Sequence, residues 1–595
     1  MIKLSDYVMR FLAARGVREV FMLPGGGAMH LDDSLGRSPD LHYTCCLHEQ
    51  AIGIAVEAWG QHTNTPGAAV VTSGPGAVNT LTAVAAAWID STPVFMISGQ
   101  AKRSDLKLGT GCRQVGSQEV DIVGMVSGIT KYAAMVLHPE EIRRHLEKAW
   151  HEAVTGRMGP VWLDIPLDVQ AAMVDPDALV GYTPPEAPPR AIPPGDLDAI
   201  GAALAEARRP LLLVGNGVKL AGAGERLVAW AERLGVPMVL TWKVVDLLDY
   251  DHPLNFGSPG IMGQRYANFI VQNCDLLLSV GSRLDPSVTA FNMAEFARNA
   301  RKKIMVDIDA CELGRVREFD IRIEADAGAF IDRLADAGGG GGAPTSRGEW
   351  LAYCRRVKAR YPVTTDADRA DPDGPVNLYA FTDELFRRLT PADVIAPESS
   401  GAAGEVLYQA MRVKKGQKIR NAAGLGSMGF GLPYAIGACL ANGRRRTVLV
   451  NGDGAFQLNV QELETVRRLR LPLKMFIWDN GGYGTMINTQ RNLFDGFLVG
   501  AEPGSGLTLP DVLRQARVYD IRTEEAASNA DAPAAIARTL AGEDAALCRV
   551  RVDPGHRTRP RVQAVKTPDG SMTSMPLENM WPFLRPEELA ENMFT

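Results

Sequence analysis

Short apolar runs that stop at Gly, Ser, Asn or Asp recur along this chain, each followed by a longer stretch of helical periodicity. They are EVFML, AAVVTS, VFMIS and VWLDI near the N-terminus, PLLLVGN, PMVLTW, LLLSVGS and KIMVDID in the middle, and DVIAPE, TVLVNGDG, KMFIWDN and CRVRVD towards the end. A run that is apolar throughout, not at alternate positions, suits a strand buried on both faces. Strands alternating with helices specify parallel α/β sheets. Two breaks divide the series. Residues 182–194 (YTPPEAPPRAIPP) hold six prolines, which cannot continue a helix or a central strand. From Gly338 to Pro375, the glycines 338–342 and the polar TTDADRADPDGP flank one helical stretch at 347–360. The fold class is therefore read as α/β, with three doubly wound parallel-sheet domains at 1–181, 195–337 and 376–560 and a tail at 561–595.

The chain's 595 residues agree with that division, since domains run to about 100–200 residues. With 63 Lys+Arg against 69 Asp+Glu, the net charge of −6 supplies no bulk attraction for nucleic acid, and no such partner is expected. No apolar run reaches the roughly 18 residues of a membrane span, so no membrane partner is expected either. The N-terminal MIKLSDYVMRFLAARGV has the pattern of an amphipathic helix, not of a signal peptide. None of the eight cysteines forms a CxxC pair, and all are read as reduced, mostly buried thiols of a cytoplasmic protein.

The densest chemistry lies at 449–484, LVNGDGAFQLNVQELETVRRLRLPLKMFIWDNGGYG. One strand pattern ends at Gly452-Asp453-Gly454. After a helix pattern, a second ends at Asp479-Asn480-Gly481-Gly482-Tyr483-Gly484. Asp453 and Asn480 are thus expected at the tips of neighbouring parallel strands. A carboxylate, an amide oxygen and a backbone carbonyl suit a hard cation. Glycines and helix N-termini suit a diphosphate.

This segment resembles the diphosphate–magnesium motif of thiamine-diphosphate enzymes, a GDG followed by Asn-Asn. Here Asp479 stands for the first Asn, while the second, metal-binding one is kept as Asn480. The resemblance implies thiamine diphosphate and Mg²⁺. It places Asp453, Asn480 and the carbonyl of Gly482 on the metal, with Gly452, Gly454, Ala455, Tyr483 and Gly484 beside the cofactor. The stretch YTCCLHEQAIGIAVEAWG is similar to the family's glutamate helix. That similarity puts Glu49 on the pyrimidine ring, where a carboxylic acid stabilises the imino tautomer that takes the C2 proton. In GLGSMG, Met428 matches the apolar support under the bent cofactor, and the carbonyl of Gly426 matches the acceptor for its amino group.

LPGGG (23–27), TSGPGAVNT (72–80) and GSQEVD (116–121) resemble the acetolactate-synthase-like branch. By that resemblance Gly26, Gly27 and Gln118 border the reacting atoms, and Pro75 and Asn79 lie near the cofactor. Pro24, Gly25, His30, Thr485 and Met486 are candidates for the substrate pocket, with His30 equally readable as a helix-start or core histidine. His48 is read as structural, and Arg444-Arg445-Arg446 as a solvated turn. In this family the domains of Glu49 and Asp453 meet on the cofactor from different chains, which implies a homodimer or homotetramer.

The departures bear on the reaction. Acetolactate synthases carry GxRFDDR, whose last Arg grips the carboxylate of the second keto acid. This chain reads Gly281-Ser282-Arg283-Leu284-Asp285-Pro286-Ser287, with Ser287 at the Arg position. Met486 stands where pyruvate decarboxylases carry an acid, and their paired histidines are missing. The expectation is a carboligase that joins a 2-keto acid donor, pyruvate, to a carbonyl acceptor that is a ketone, aldehyde or ketosugar. The stretch GSPGIMGQRYANFIVQNCDLLLSVGSRLD resembles carboligases of branched-sugar and lipopolysaccharide pathways. The alternatives are acetolactate synthase, pyruvate oxidase, or an inactive binding or assembly homologue; the last is opposed by the retention of Glu49 and Asp453. Arg283, Asp307 and Asp309 match stretches that contact FAD in this branch, whereas GSPGIMG matches the flavin loop only in part. A FAD site and a vestigial one both stay open, as do a lid and a surface-packed segment for the tail.

Overall fold

A computed structural model describes residues 1–186, 192–337, 345–566 and 568–594. Part of the proline linker (187–191) and the glycine run 338–342 lie outside the described residues. Every apolar run named above forms a strand or most of one. They assemble into three sheets in which every pairing is parallel.

The N-terminal sheet runs His42–Cys45, Glu19–Met22, Gly67–Val71, Val94–Gln100, Pro160–Pro166, Tyr132–Met135. The C-terminal sheet runs Lys418–Ile419, Val394–Pro397, Thr447–Gly452, Leu473–Asp479, Ala546–Arg551, Arg522–Ala526. Counted by first appearance within each sheet, both follow the order second, first, third, fourth, sixth, fifth. The central sheet follows second, first, third, fourth, fifth: Met238–Leu240, Pro210–Val214, Leu276–Val280, Lys302–Asp307, Ile321–Glu324. The chain reverses direction across each sheet between its first and third strands. The carboxyl ends of those two strands open the crevice in which doubly wound folds bind ligands.

The outer domains meet through two helices, Glu49–Thr63 and Gly431–Ala441. Both are apolar and small-residued nearly all round, the pattern of a helix buried on every side. Ala51, Ile52, Ala55 and Val56 join the N-terminal core, while Ile54 and Ala58 join the C-terminal one. The crossing is close: a Cβ on Gly437 would sit 2.2 Å from the carbonyl oxygen of Ala55.

The tail packs on the central domain. Leu577 and Met580 are buried in its core. Asn268 donates to the carbonyl of Leu577 (2.9 Å), and Asn273 to that of Asn592 (2.7 Å). One expectation needs correction: Arg446 is only partly solvated, at 28% side-chain exposure. Its guanidinium holds Asp393, which is buried at the entry to the strand Val394–Pro397, through bonds of 2.5 and 2.7 Å. A buried carboxylate requires such a partner.

Gly437→Ala is expected to destabilise the protein by about 1–3 kcal/mol, the usual cost of overpacking, although alanine favours a helix. The midpoint of urea unfolding checks this.

Candidate active site

The strand Thr447–Gly452 delivers Asp453 into the first turn of the short helix Asp453–Phe456, and its neighbour Leu473–Asp479 delivers Asn480 alongside. Asp453 is buried. Its two carboxylate oxygens accept from the N–H groups of Gly454 (2.9 Å) and Gly481 (2.8 Å). Burial, and next the nearby carboxylate of Asp479, raise the Asp453 pKa. A cation offsets both penalties. Among the described residues no group of three or more His, Cys, Asp and Glu side chains could hold a metal. Asp453, the Asn480 side chain and the carbonyl of Gly482 are nevertheless oxygen donors of the mixed kind that could hold Mg²⁺.

The glycines here are spatially required. A Cβ on Gly454 would lie 2.4 Å from the Tyr483 ring, one on Gly482 2.3 Å from the carbonyl oxygen of Ala501, and one on Gly484 2.4 Å from Nδ2 of Asn480. Gly452 has open space where its Cβ would be. Ala455 is buried one residue beyond Gly454.

Two more loops reach this place. Gly426 adopts φ +67° and lies near the carbonyl of Ser399, and the hydroxyl of Thr485 lies near Gly401. Met428 and Met486 are both partly exposed, at 36% and 46%. Ser399, Ser400 and Gly401 lead into the helix Ala402–Ala410, so the N-terminus of that helix faces the same cluster. The sequence reading missed these three residues. The available signal was a polar SSG directly after an apolar strand.

In the N-terminal domain His48 caps the helix Glu49–Thr63, with Nδ1 accepting from the N–H of Gln50 (3.0 Å). Glu49 opens that helix, half-exposed, and accepts from Asn79 Nδ2 at 3.0 Å. Pro75 and Asn79 are exposed beside it. Leu23 and Pro24 lead from the strand Glu19–Met22 into the glycines. There a Cβ on Gly25 would lie 2.4 Å from the Thr72 side chain, and one on Gly27 2.4 Å from the Ser73 hydroxyl. Gly26 alone faces open space. His30 belongs to the helix Met29–Arg37 and is half-buried. Gln118 is exposed at φ +58°, its carbonyl against Gly74.

A cavity of about 540 Å³ joins the three domains. It runs from the carboxyl ends of the central strands to Ser399, Gly401 and Thr485, and it includes Arg283 and Asp307. Asp307 is pushed up to about 6, mainly by burial. Asp309 lies outside the lining. It caps the helix Ala310–Arg315 and pairs with Arg157 at 2.7 Å.

Comparison with known proteins decides what this assembly is. Residues 2–125 match the family model "Thiamine pyrophosphate enzyme, N-terminal TPP binding domain", 197–334 the "central domain" and 399–550 the "C-terminal TPP binding domain". The chain is 32% identical over 579 residues to acetolactate synthase isozyme 2 large subunit of Escherichia coli (strain K12), covering 97% of this chain and 99% of that protein. It is 34% identical over 496 residues to the acetolactate synthase large subunit of Corynebacterium glutamicum, covering 82% and 76%. The chain belongs to the thiamine pyrophosphate enzymes.

It is a thiamine-pyrophosphate-dependent enzyme of the acetolactate synthase-like kind. Among the described residues no helix is long and apolar enough to cross a membrane. The central match contains the whole central sheet, while the N-terminal match stops before the strands Tyr132–Met135 and Pro160–Pro166 and the C-terminal match begins after the strand Val394–Pro397.

Behind Gln118, this thiamine pyrophosphate enzyme holds a buried carboxyl. Asp164 accepts from Ser98 Oγ (2.6 Å) and Gln100 Nε2 (2.9 Å), and the same amide of Gln100 donates to the carbonyl of Val120 (3.0 Å). Glu119 clasps the loop by accepting from the N–H groups of Lys107 and Val115 (2.6 and 2.9 Å). Burial pushes Asp164 from 3.8 to about 7. The folded state therefore holds this proton more tightly than the unfolded one. The stabilisation is complete below about pH 4 and is lost as pH rises through about 7. The stability advantage of the wild type over Asp164→Asn is expected to be largest at the acid end of that window and to shrink towards its alkaline end, as read from urea unfolding across pH.

Proposed function

We propose that this enzyme is an Mg²⁺-dependent carboligase. Its donor is a 2-keto acid, pyruvate, and its acceptor is a ketone, aldehyde or ketosugar. When bound, thiamine diphosphate supplies the electron sink that lets a 2-keto acid lose CO2 and hand on its acyl unit. Glu49, oriented by Asn79, keeps a proton on the pyrimidine ring. Asp453, Asn480 and the Gly482 carbonyl would hold Mg²⁺. The N-termini of the helices Ala402–Ala410 and Gly484–Leu493 face the diphosphate charge. Met428 would support the bound cofactor and the carbonyl of Gly426 would accept from its amino group. Gln118, Gly26 and Gly27 border the donor. Met486 offers no acid to deliver a proton, which favours ligation over aldehyde release.

The acceptor choice is carried by the turn Gly281–Ser287. The backbone N–H and hydroxyl of Ser287 donate to Asp285 Oδ1 at 2.9 and 2.7 Å, while Asp285 Oδ2 holds Arg283 at 2.5 Å. The other cations among the described lining residues are also paired, Arg157 with Asp309 and Lys243 with Asp90. No lining cation is thus left to bind the carboxylate of a second keto acid. The near end-to-end likeness to proteins named acetolactate synthase supports the second reading, formation of acetolactate from two pyruvates.

The reading includes a homodimer or homotetramer. Glu49 and Asn79 stand at an outward edge, and Leu493, Phe494, Phe497 and Val499, 57% to 74% exposed, offer an apolar surface to a second copy. The central cavity suits an extended dinucleotide, and FAD is the group this branch implies; visible flavin absorption from the purified protein tests its presence.

With thiamine diphosphate, Mg²⁺ and pyruvate, CO2 release is expected to rise when a ketone, aldehyde or nucleotide-linked ketosugar is added. Rapid acetolactate formation from pyruvate alone, with no gain from acceptors, would favour the second reading. Ser287→Arg should shift product towards acetolactate, and Glu49→Gln should lower turnover by about 100-fold or more.

A further inference from the structure

The densest buried charge away from the thiamine loops lies where all three domains meet. Lys243, in the tight turn Trp242–Leu247 of the central domain, holds its ammonium 2.6 Å from Asp90, the last residue of the N-terminal helix Leu81–Asp90. The same ammonium donates to Gln61 Oε1 (3.1 Å) and to the carbonyl of Asn421 in the C-terminal domain. Gln61 in turn accepts from the Tyr434 hydroxyl (2.9 Å) and donates to the buried Glu57 (2.9 Å). Burial, and next the charge of Asp90, raise Glu57 and favour its protonated form. The turn is anchored further along. Asp246 binds Lys219 (3.0 Å) and Arg420, and Trp242 stacks on Tyr408 with centroids 4.7 Å apart.

What this clasp grips is the chain leading into the cofactor loop. The Asn421 side chain donates to the carbonyl of Glu398 (3.2 Å) and accepts from Tyr408 (3.1 Å), so both its backbone and its amide are fixed. Three residues later, Gly424 makes room for the clasp, since a Cβ there would lie 2.3 Å from Asp90 Oδ1. Gly426 and Met428 follow at once. Lys243, Asp90 and Gly424 all line the three-domain cavity.

We propose that Lys243 is a positioning residue for thiamine diphosphate: anchored on Asp90, its ammonium sets the Asn421 carbonyl and through it the loop Ala423–Met428. This rests on reading Gly426 and Met428 as cofactor groups. By this route the central domain governs a cofactor that the outer domains hold. Removing one partner of a buried ion pair leaves the other charge uncompensated.

The test uses the full chain as wild type, Lys243→Met, Lys243→Arg and Asp90→Asn. Three quantities are read: affinity for thiamine diphosphate with Mg²⁺ by titration calorimetry, amide hydrogen exchange at 421–428 without cofactor, and melting temperature. Lys243→Met and Asp90→Asn should each weaken cofactor binding on the order of tenfold and speed exchange at 421–428. Lys243→Arg should recover much of both. Asp90→Asn decides the matter alone if Lys243→Met does not fold. Unchanged affinity and unchanged exchange at 421–428, with only a lower melting temperature, overturn the proposal and leave a purely structural clasp. Wild type that binds no thiamine diphosphate would instead sink the underlying reading.

Discussion

The helix Glu49–Thr63 is the element on which the rest of the molecule depends, because two hydrophobic cores share it. One side completes the N-terminal sheet's core and the other enters the C-terminal core. Ala55, met by Gly437 opposite, lets the two helices approach closely, and Gly53 does the same where the helix passes Ala83 and Thr80. Burial on all sides fixes the helix as a rigid strut. Its first residue is Glu49, and its last turns carry Glu57, Gln61 and His62, which reach the three-domain junction. A side chain at one end is therefore referenced to the packing at the other.

Buried carboxylates in this chain fall into two groups, divided by how their charge is met. Asp383 is held by Arg387 (2.8 Å) and Arg412 (2.7 Å), Asp393 by Arg446, and Asp246 by Lys219 and Arg420. These are struts in which a cation offsets the charge of each buried carboxylate. Asp164, Glu398 and Asp453 take only neutral donors in their hydrogen bonds, and burial raises each. Glu398 and Asp453 directly follow the strands Val394–Pro397 and Thr447–Gly452, and Asp164 lies near the end of its own strand. Glu398 and Asp453 thus stand without cations at strand ends that open onto the candidate site, whereas Glu57 and Glu462, buried and raised in the same way, lie on helices.

Much of this was legible in the sequence because burial on both faces writes an unbroken apolar run. The interior strands of all three sheets were readable for that reason. Most edge strands were not, the exception being Met238–Leu240 of the central sheet, which is buried throughout and was read from PMVLTW. Ile321–Glu324 (IRIE) and Arg522–Ala526 (RTEEA) have one side towards solvent and carry charges, and Lys418–Ile419 is too short to leave a pattern. The glycine turns could be found as motifs, but the work of each glycine could not. Gly25 and Gly27 are there because Thr72 and Ser73 crowd them, whereas Gly26 faces open space. Arg446 looked like part of a solvated cluster because its partner, Asp393, lies 53 residues earlier in sequence. Lys243 was invisible for the same reason: its partners come from two other domains.

The repeated strand order gives these separations a common cause. All three sheets reverse direction between their first and third strands, so each opens a crevice at its carboxyl edge. In the N-terminal sheet that edge carries the glycines 25–27 and Thr72; in the C-terminal sheet it carries Ser399 and Asp453; in the central sheet it carries Asn216 and Arg283. Packing the central crevice against the C-terminal one turns two edges into a single cavity. Within it, charges from different domains meet and neutralise one another, as Arg157 does with Asp309 and Lys243 with Asp90. A cavity whose cations are already paired presents polar surface without a free positive centre. On the proposed reading, that surface is what favours a neutral carbonyl acceptor over a second carboxylate, and it arises from how the domains are joined as much as from any one residue.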